Sequence, residues 1–156
     1  MVIEAGQPTV SKTMPPPGRS LIGMLIVAPL TVGIAGCDKQ IDTLPITAAV
    51  GYRQGHRVSL NPQQRAVLAQ WIDAHRNGWH GLMETPPFPS IGISVDYTEG
   101  RYGSFEIWQD TGNGGGVVYR YLHDHTPGAK PVPPLKRRVS EPDVQAFRAI
   151  VDNPAN

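Results

Sequence analysis

An uncharged, largely apolar run extends from Ser20 to Cys37 and separates the first 19 residues from the rest of the 156-residue chain. Arg19 precedes the run, and Asp38 and Lys39 follow it. A membrane-spanning helix needs about 20 predominantly apolar residues, whereas this run is shorter and is interrupted by glycines and a proline. A secretory signal needs a positive charge, roughly 7–15 apolar residues and small residues before the cut. The run therefore fits a cleaved secretory leader better than a permanent span.

The run ends in a more specific pattern, Ile34-Ala35-Gly36-Cys37. This pattern resembles the lipobox of bacterial lipoproteins, in which an aliphatic residue and two small residues precede a cysteine. The resemblance covers the leader only. It implies that residues 1–36 are a signal peptide and that Cys37 becomes the first residue of the mature chain. It also implies that diacylglyceryl and a fatty acid such as palmitate are attached to Cys37, and we expect no cofactor other than this covalent lipid.

The start and the destination of such a leader are less sharply specified. Met14 lies closer to Arg19 than Met1 does, so translation starting at Met14 gives a more compact signal peptide. The resemblance implies a membrane-anchored protein that faces the periplasm or the cell exterior, and Asp38 favours the inner membrane. The alternative is a membrane anchor or core helix in which Cys37 is a small buried thiol.

Removal of residues 1–36 leaves 156 − 36 = 120 residues, which suits one domain with a single core. The mature chain keeps 14 − 2 = 12 basic and 13 − 1 = 12 acidic side chains, because Lys12, Arg19 and Glu4 are lost. This balance argues against a nucleic-acid partner. Cys37 is the only cysteine, so no disulfide is available within the chain.

The patterning predicts a tether over residues 37–52, a domain over 53–152 and a tail over 153–156. A helix is predicted from Pro62 to about Asn77, with Asn61 as its N-cap and Gln64 completing a capping box. Its apolar residues recur at helical spacing. We also expect Gly78 to adopt the left-handed conformation that ends helices.

Three segments rich in β-branched and aromatic residues follow, namely "IGISVDY", "RYGSFEIWQ" and "GVVYRYL". Short turns join them, which favours an antiparallel meander. A second helix begins after Ser140, with Asp143 in the capping position. The predicted fold class is therefore α+β: a three- to four-stranded antiparallel β-meander, with one helix before it and one after it packed on one face.

A metal site is one possible interpretation of the histidines. His123, Asp124 and His125 are consecutive, and imidazole and carboxylate groups are common zinc ligands. Their spacing matches no helical or knuckle signature. The alternative is that these histidines are solvated groups at a strand end, and we assign no metal ligand.

Aromatic residues outside the predicted helices are candidates for a partner surface. They are Trp79, Phe88, Tyr119 and Tyr121, together with the neighbouring His80. The alternative is that Trp79 and Phe88 fold back onto the small core. The segment Leu135–Val139 is a basic cluster that contacts anionic lipid headgroups or forms a solvated loop.

No nucleophile elbow or other catalytic arrangement stands out, and we assign no catalytic residue. The leading hypothesis is a non-catalytic envelope lipoprotein whose domain binds another protein, as an immunity-type inhibitor or as an accessory component of an envelope assembly. The second hypothesis is a lipoprotein that binds a small ligand or cell-wall fragment. The third is a metal-dependent hydrolase that uses His123, Asp124 and His125.

Overall fold

The computed structural model describes residues 38–110, 112 and 114–152. The lipobox, the leader before it and the predicted tail at 153–156 lie outside these residues. The whole core described below lies within residues 38–152. These residues therefore contain the core that a domain needs in order to fold. Within the described ranges, no helix has the length and hydropathy needed to cross a membrane.

The described residues form one antiparallel sheet and two helices. In chain order the elements are β1 Ile46–Arg53, β2 His56–Ser59, α1 Pro62–Ala74, β3 His80–Gly81, β4 Ile91–Tyr97, β5 Arg101–Gln109, β6 Gly116–Asp124, β7 Leu135–Val139 and α2 Glu141–Asp152. The strands lie in the order β2-β1-β4-β5-β6-β7-β3. The α+β class is confirmed, and the meander β4-β5-β6 lies at the centre of the sheet. The sheet has seven strands among the described residues, so the predicted three to four were too few.

Two of the additional strands fall where we expected a tether or a loop. Residues 46–52 belong to the predicted tether, but together with Arg53 they form β1, which lies between β2 and β4. Two small residues, Ala49 and Gly51, face the helices from β1, and a Cβ on Gly51 would lie 2.9 Å from Val151 of α2. Small residues are needed at these positions because α2 packs closely against β1. They also remove the alternation of large apolar and polar residues from which a strand is predicted. The basic segment Leu135–Val139 is a strand, β7, with apolar residues only at its ends.

Both helices begin as the sequence predicts. Asn61 accepts a hydrogen bond from the Gln64 backbone at 2.9 Å, and the Gln64 side chain accepts one from the Asn61 backbone at 3.0 Å. Gly78, after α1, has φ of +79°. At α2, the Ser140 N–H donates to the Asp143 carboxylate at 3.2 Å, and the Asp143 N–H donates to the Ser140 hydroxyl at 3.4 Å. These contacts satisfy backbone N–H groups that a helix start leaves without partners.

The core lies between the two helices and one face of the sheet. The strands contribute Ile91, Ile93 and Val95 of β4 and alternate residues of their neighbours, while both helices contribute aliphatic and aromatic residues. The helices also contact each other, because the Gln64 amide of α1 donates to the Ile150 carbonyl of α2 at 2.8 Å. Trp71 of α1 packs edge-on against Phe147 of α2. The helices therefore pack on one face of the sheet, the covered face. Neither of the two described helices packs on the opposite face, the open face.

Candidate functional site

The sheet face opposite the helices carries polar and aromatic side chains. Strand register aligns a row across it, formed by Arg57, Tyr52, Gly92, Glu106, Tyr119, Lys136 and His80. Residues directly opposite each other on neighbouring strands share a face and lie close together. The row runs from one edge strand to the other, so side chains from six of the seven strands, all but β4 with Gly92, lie in one line across this face.

A half-buried carboxylate, Glu106, lies near the middle of this row. The Ser104 hydroxyl donates to Glu106 Oε1 at 3.0 Å, and the Tyr52 hydroxyl donates to the same side chain from two strands away. Tyr52 reaches it by lying across Gly92, where an added Cβ would come within 2.1 Å of Tyr52 Cζ. Gly92 is therefore the position that lets β1 and β5 make direct side-chain contact over β4.

Three tyrosines surround this carboxylate. Burial, and secondly the charge of Glu106, raise the pKa of Tyr52 well above its usual value. Burial and Glu106 also raise the pKa of Tyr121. For Tyr119, burial and the Glu84 carboxylate raise the pKa, while Lys136 lowers it. All three hydroxyls stay protonated at neutral pH, so they serve as hydrogen-bonding groups rather than as general bases.

The segment 82–90, which joins β3 at the sheet edge to β4 in its interior, carries two exposed apolar side chains. Met83 is 92% exposed and Phe88 is 97% exposed. Both ends of the segment are fixed, because the Leu82 N–H donates to the Pro134 carbonyl at 3.1 Å and the Ser90 N–H donates to the Ile107 carbonyl at 2.9 Å. Three of its residues are prolines, at positions 86, 87 and 89, which restrict the backbone further. The segment therefore presents Phe88 from a constrained backbone.

The segment also connects to the open face. The Glu84 carboxylate lies 2.6 Å from Lys136 Nζ, and Lys136 is directly opposite Tyr119 in the sheet. Tyr119 is only 5% exposed although it points away from the helices. The start of segment 82–90 thus lies over the part of the face that holds Tyr119.

The residues predicted to form a partner surface differ in their exposure. Trp79 is fully buried and donates its indole N–H to the His75 carbonyl at 2.7 Å, so it belongs to the core and not to a surface. Tyr119 is buried, and Tyr121 is half-buried on the open face. His80 and Phe88 are exposed. Of the two residues for which the sequence offered folding back onto the core as the alternative, Trp79 does so and Phe88 does not.

The histidine cluster adopts a stacked arrangement. Tyr102 stacks on His123 with ring centroids 4.8 Å apart and on His125 with centroids 4.6 Å apart. Asp124 projects to the other face of β6, where its carboxylate lies 3.3 Å from Arg101. Hydrogen bonds from Thr126, and secondly the charge of Arg101, lower the pKa of Asp124. The three residues therefore do not converge, and the described part of the chain contains no group of three His, Cys, Asp or Glu placed to hold a metal ion.

A basic cleft lies at the edge of the sheet between β3 and β7. It has a volume of about 440 Å³ and is lined by Gly78, His80, Glu84, Val117, Lys136, Arg137 and Arg138. Arg138 also lines a neighbouring cleft of about 520 Å³ beside Trp108. The excess of cations suits an anionic group better than a neutral one.

Sequence reasoning did not find the contact between Tyr52 and Glu106. The alternation of β4 and β5 assigns Gly92 and Glu106 to the solvent face, and this was the available signal. Tyr52 gave no signal because it fell in the predicted tether. Comparison of the chain with protein-family models, with curated proteins and with solved structures finds no match.

Proposed function

We propose that this chain is a non-catalytic, membrane-anchored envelope lipoprotein whose domain binds another protein. The lipobox pattern ending at Cys37 supports the anchor. The observation that carries the binding function is the exposure of Met83 and Phe88, at 92% and 97%, on a segment with fixed ends. The partner is either an exported enzyme that the domain inhibits, as an immunity protein does, or a component of an envelope assembly.

The physical case for a protein partner rests on residue type and on preorganisation. Methionine and aromatic residues are enriched in protein interfaces, where they fill apolar pockets on the partner. Binding costs less conformational entropy when the contacting segment is already constrained. The prolines, the backbone hydrogen bonds and the ion pair between Glu84 and Lys136 supply that constraint. Phe88 is therefore the anchor residue that we assign to the interface.

A pull-down with matched variants tests the binding function. The full chain, tagged at its carboxyl end in its own organism, should retain one protein in near-stoichiometric amount. Phe88→Ser should lose that protein, whereas Val67→Ser, which removes an exposed apolar side chain from α1, should keep it. Equal retention by both variants contradicts the proposal. Release of Phe88→Ser from lipid vesicles, with no effect on protein retention, would make the segment a membrane contact instead.

The anchor has a separate test at Cys37. The wild-type chain should incorporate labelled palmitate and be processed before Cys37, and Cys37→Ser should abolish both. Continued processing of the serine variant contradicts a lipoprotein signal. Because this readout does not involve Phe88, failure of the anchor and failure of the interface are distinguishable.

A second candidate function has its own supporting observation, the Glu106 carboxylate among Ser104, Tyr52 and Tyr121. Hydroxyl, carboxylate and aromatic groups together are suited to a small polar ligand such as a cell-wall fragment. Saturable binding of muropeptides that is lost in Glu106→Gln, with protein retention unchanged, would favour this function. A metal-dependent hydrolase using His123 and His125 is the least supported, because Asp124 pairs with Arg101 on the other face.

A further inference from the structure

The chain is held against the sheet edge from the first described residue onward. The Asp38 carboxylate lies 3.5 Å from His80 Nε2. The Lys39 N–H donates to the Trp79 carbonyl at 2.7 Å, and the Trp79 N–H donates back to Lys39 at 3.2 Å. Ile41 is buried in the core, and Asp42 lies near the buried Arg120. No free linker therefore follows Cys37, which is bonded directly to Asp38.

The same edge of the sheet carries a cluster of cations. Lys39, Lys136, Arg137 and Arg138 contribute four positive charges, and Asp38 and Glu84 contribute two negative ones, so the cluster has a net charge of 4 − 2 = +2 with His80 neutral. Residues 38–156 as a whole carry 12 cations and 12 anions, so the rest of the domain has a net charge of −2. The positive charge is therefore concentrated at the place where the chain emerges.

Two of these four cations have side chains without a partner in the described part of the domain. Lys136 is paired with Glu84, and Arg137 donates to the Asn77 carbonyl at 2.7 Å. Among the described residues, Lys39 and Arg138 make no side-chain hydrogen bond or ion pair. Arg138 lines the basic cleft between β3 and β7. A cleft with an uncommitted guanidinium and neighbouring cations is suited to phosphate, which accepts two hydrogen bonds from arginine.

We propose that this basic cleft binds the phosphate groups of anionic lipids in the membrane to which the domain is anchored. The inference rests on the proposed anchor at Cys37, because an anchor one residue before Asp38 holds the β3–β7 edge at the bilayer surface. A cationic cluster next to a lipid anchor adds electrostatic attraction to the hydrophobic one. The domain then lies on the membrane by its β3–β7 edge, with the opposite β2 edge directed away from it.

Vesicle binding of the unlipidated domain tests this orientation. Residues 38–156 contain the whole described core, so they are used without the leader. The domain should bind vesicles of mixed phosphatidylglycerol and phosphatidylcholine more tightly than vesicles of phosphatidylcholine alone, and salt should weaken the difference. Each removed cation should lower the partition coefficient roughly fivefold. Arg138→Ser should show this loss, and Lys39→Ser with Arg138→Ser should show roughly twenty-fivefold.

The matched control is Arg57→Ser, which removes an exposed arginine from the same sheet face at the opposite edge, on β2. It should leave the partition coefficient unchanged. Equal losses in Arg57→Ser and Arg138→Ser, or equal binding to the two kinds of vesicle, overturn the proposal. A third outcome also overturns it: the domain binds inorganic phosphate at constant ionic strength but shows no preference for anionic vesicles. The ligand of the cleft would then be free phosphate and not a lipid. Palmitate labelling at Cys37 is read independently, so failure of the cleft is distinguishable from failure of the anchor.

Discussion

The two faces of the sheet differ in what their side chains do, although each central strand contributes to both. On one face, Ile93, Phe105 and Val118 are buried beneath α1 and α2. On the other, Gly92 and Glu106 occupy the neighbouring positions of the same strands. The covered face concentrates the apolar area that stabilises the fold. The open face can therefore hold a carboxylate and tyrosines, and the segment beside it can expose Phe88, because most of the stabilising apolar burial lies on the covered face.

The largest predicted difference in stability is between two phenylalanines, one in the core and one in segment 82–90. Phe147 is fully buried in α2 and packs against Trp71, whereas Phe88 is almost fully exposed. Phe147→Ala should lower the free energy of unfolding by about 3–5 kcal/mol, because it leaves a cavity in the core. Phe88→Ala should change it by less than about 0.5 kcal/mol. Urea unfolding measures both, and comparable losses in the two variants would remove the distinction between the regions.

A smaller effect is expected at Gly92, where the open face is most closely packed. Gly92→Ala places a methyl group within 2.1 Å of Tyr52 and should displace that ring from Glu106. We expect a loss of about 1–3 kcal/mol, as is typical when extra atoms are forced into a packed site. In a Tyr52→Ala background the same substitution should cost much less. Additive losses would mean that Tyr52 does not lie across Gly92.

The helices on the covered face also make a polar contact, between Asp143 of α2 and the side chains of Ser140 and His75. The pH dependence of stability tests how much this contact contributes. Burial opposes ionisation of Asp143, but hydrogen bonds from Ser140 and the nearby His75 outweigh it and hold the Asp143 pKa below its usual value. A depressed folded-state pKa stabilises the fold above the unfolded pKa of about 3.9, and this stabilisation is lost as pH falls through the folded-state pKa.

Asp143→Asn should therefore lower stability at neutral pH by less than about 1 kcal/mol, because water screens a carboxylate that is 36% exposed, and it should have less effect in strong acid. Thermal unfolding of the variant and the wild type across the acid range measures this difference. A difference that does not change with pH would exclude a stabilising role for the Asp143 charge.

The smallest effect on stability is expected at Tyr102, near the start of β5 on the open face. Tyr102→Ser removes a partly exposed ring that stacks on His123 and His125. The free energy of unfolding should change by less than about 0.5 kcal/mol. The imidazole proton resonances of both histidines should nevertheless shift in NMR spectra, because they lose the neighbouring ring. A large loss of stability would show that the open face also supports the fold.

The elements predictable from sequence are those whose own residues specify them. Asn61, Gln64 and Gly78 indicate where α1 starts and where the chain leaves it, and the alternation in β4 indicates its buried face. β1 was not predictable, because Ala49 and Gly51, which face the helices, are small, whereas the larger Val50 and Tyr52 point to the open face. Its assignment requires knowledge of α2, which packs against it from the far end of the chain.

The candidate site shows the same limit. Phe88 and the cations of β7 could be identified in the sequence as individual candidates, but the residues that lie next to them in the fold could not be predicted. β3 pairs with β7 and so places His80 directly opposite Lys136, in the cleft that Arg138 also lines. This pairing joins residues more than fifty positions apart in the chain. The contact of Tyr52 with Glu106 likewise spans three strands. Sequence patterns report local periodicity, whereas these groupings arise from the order of strands in the sheet.

The most direct test of the account is photocrosslinking in the native envelope with a photoreactive residue at position 88 of the full chain. Position 67, exposed on α1, receives the same residue as a control. If segment 82–90 meets a partner protein, position 88 gives one discrete adduct and position 67 gives none. An absence of adducts at position 88, or the same adducts at both positions, would contradict the assignment of this segment as the interface.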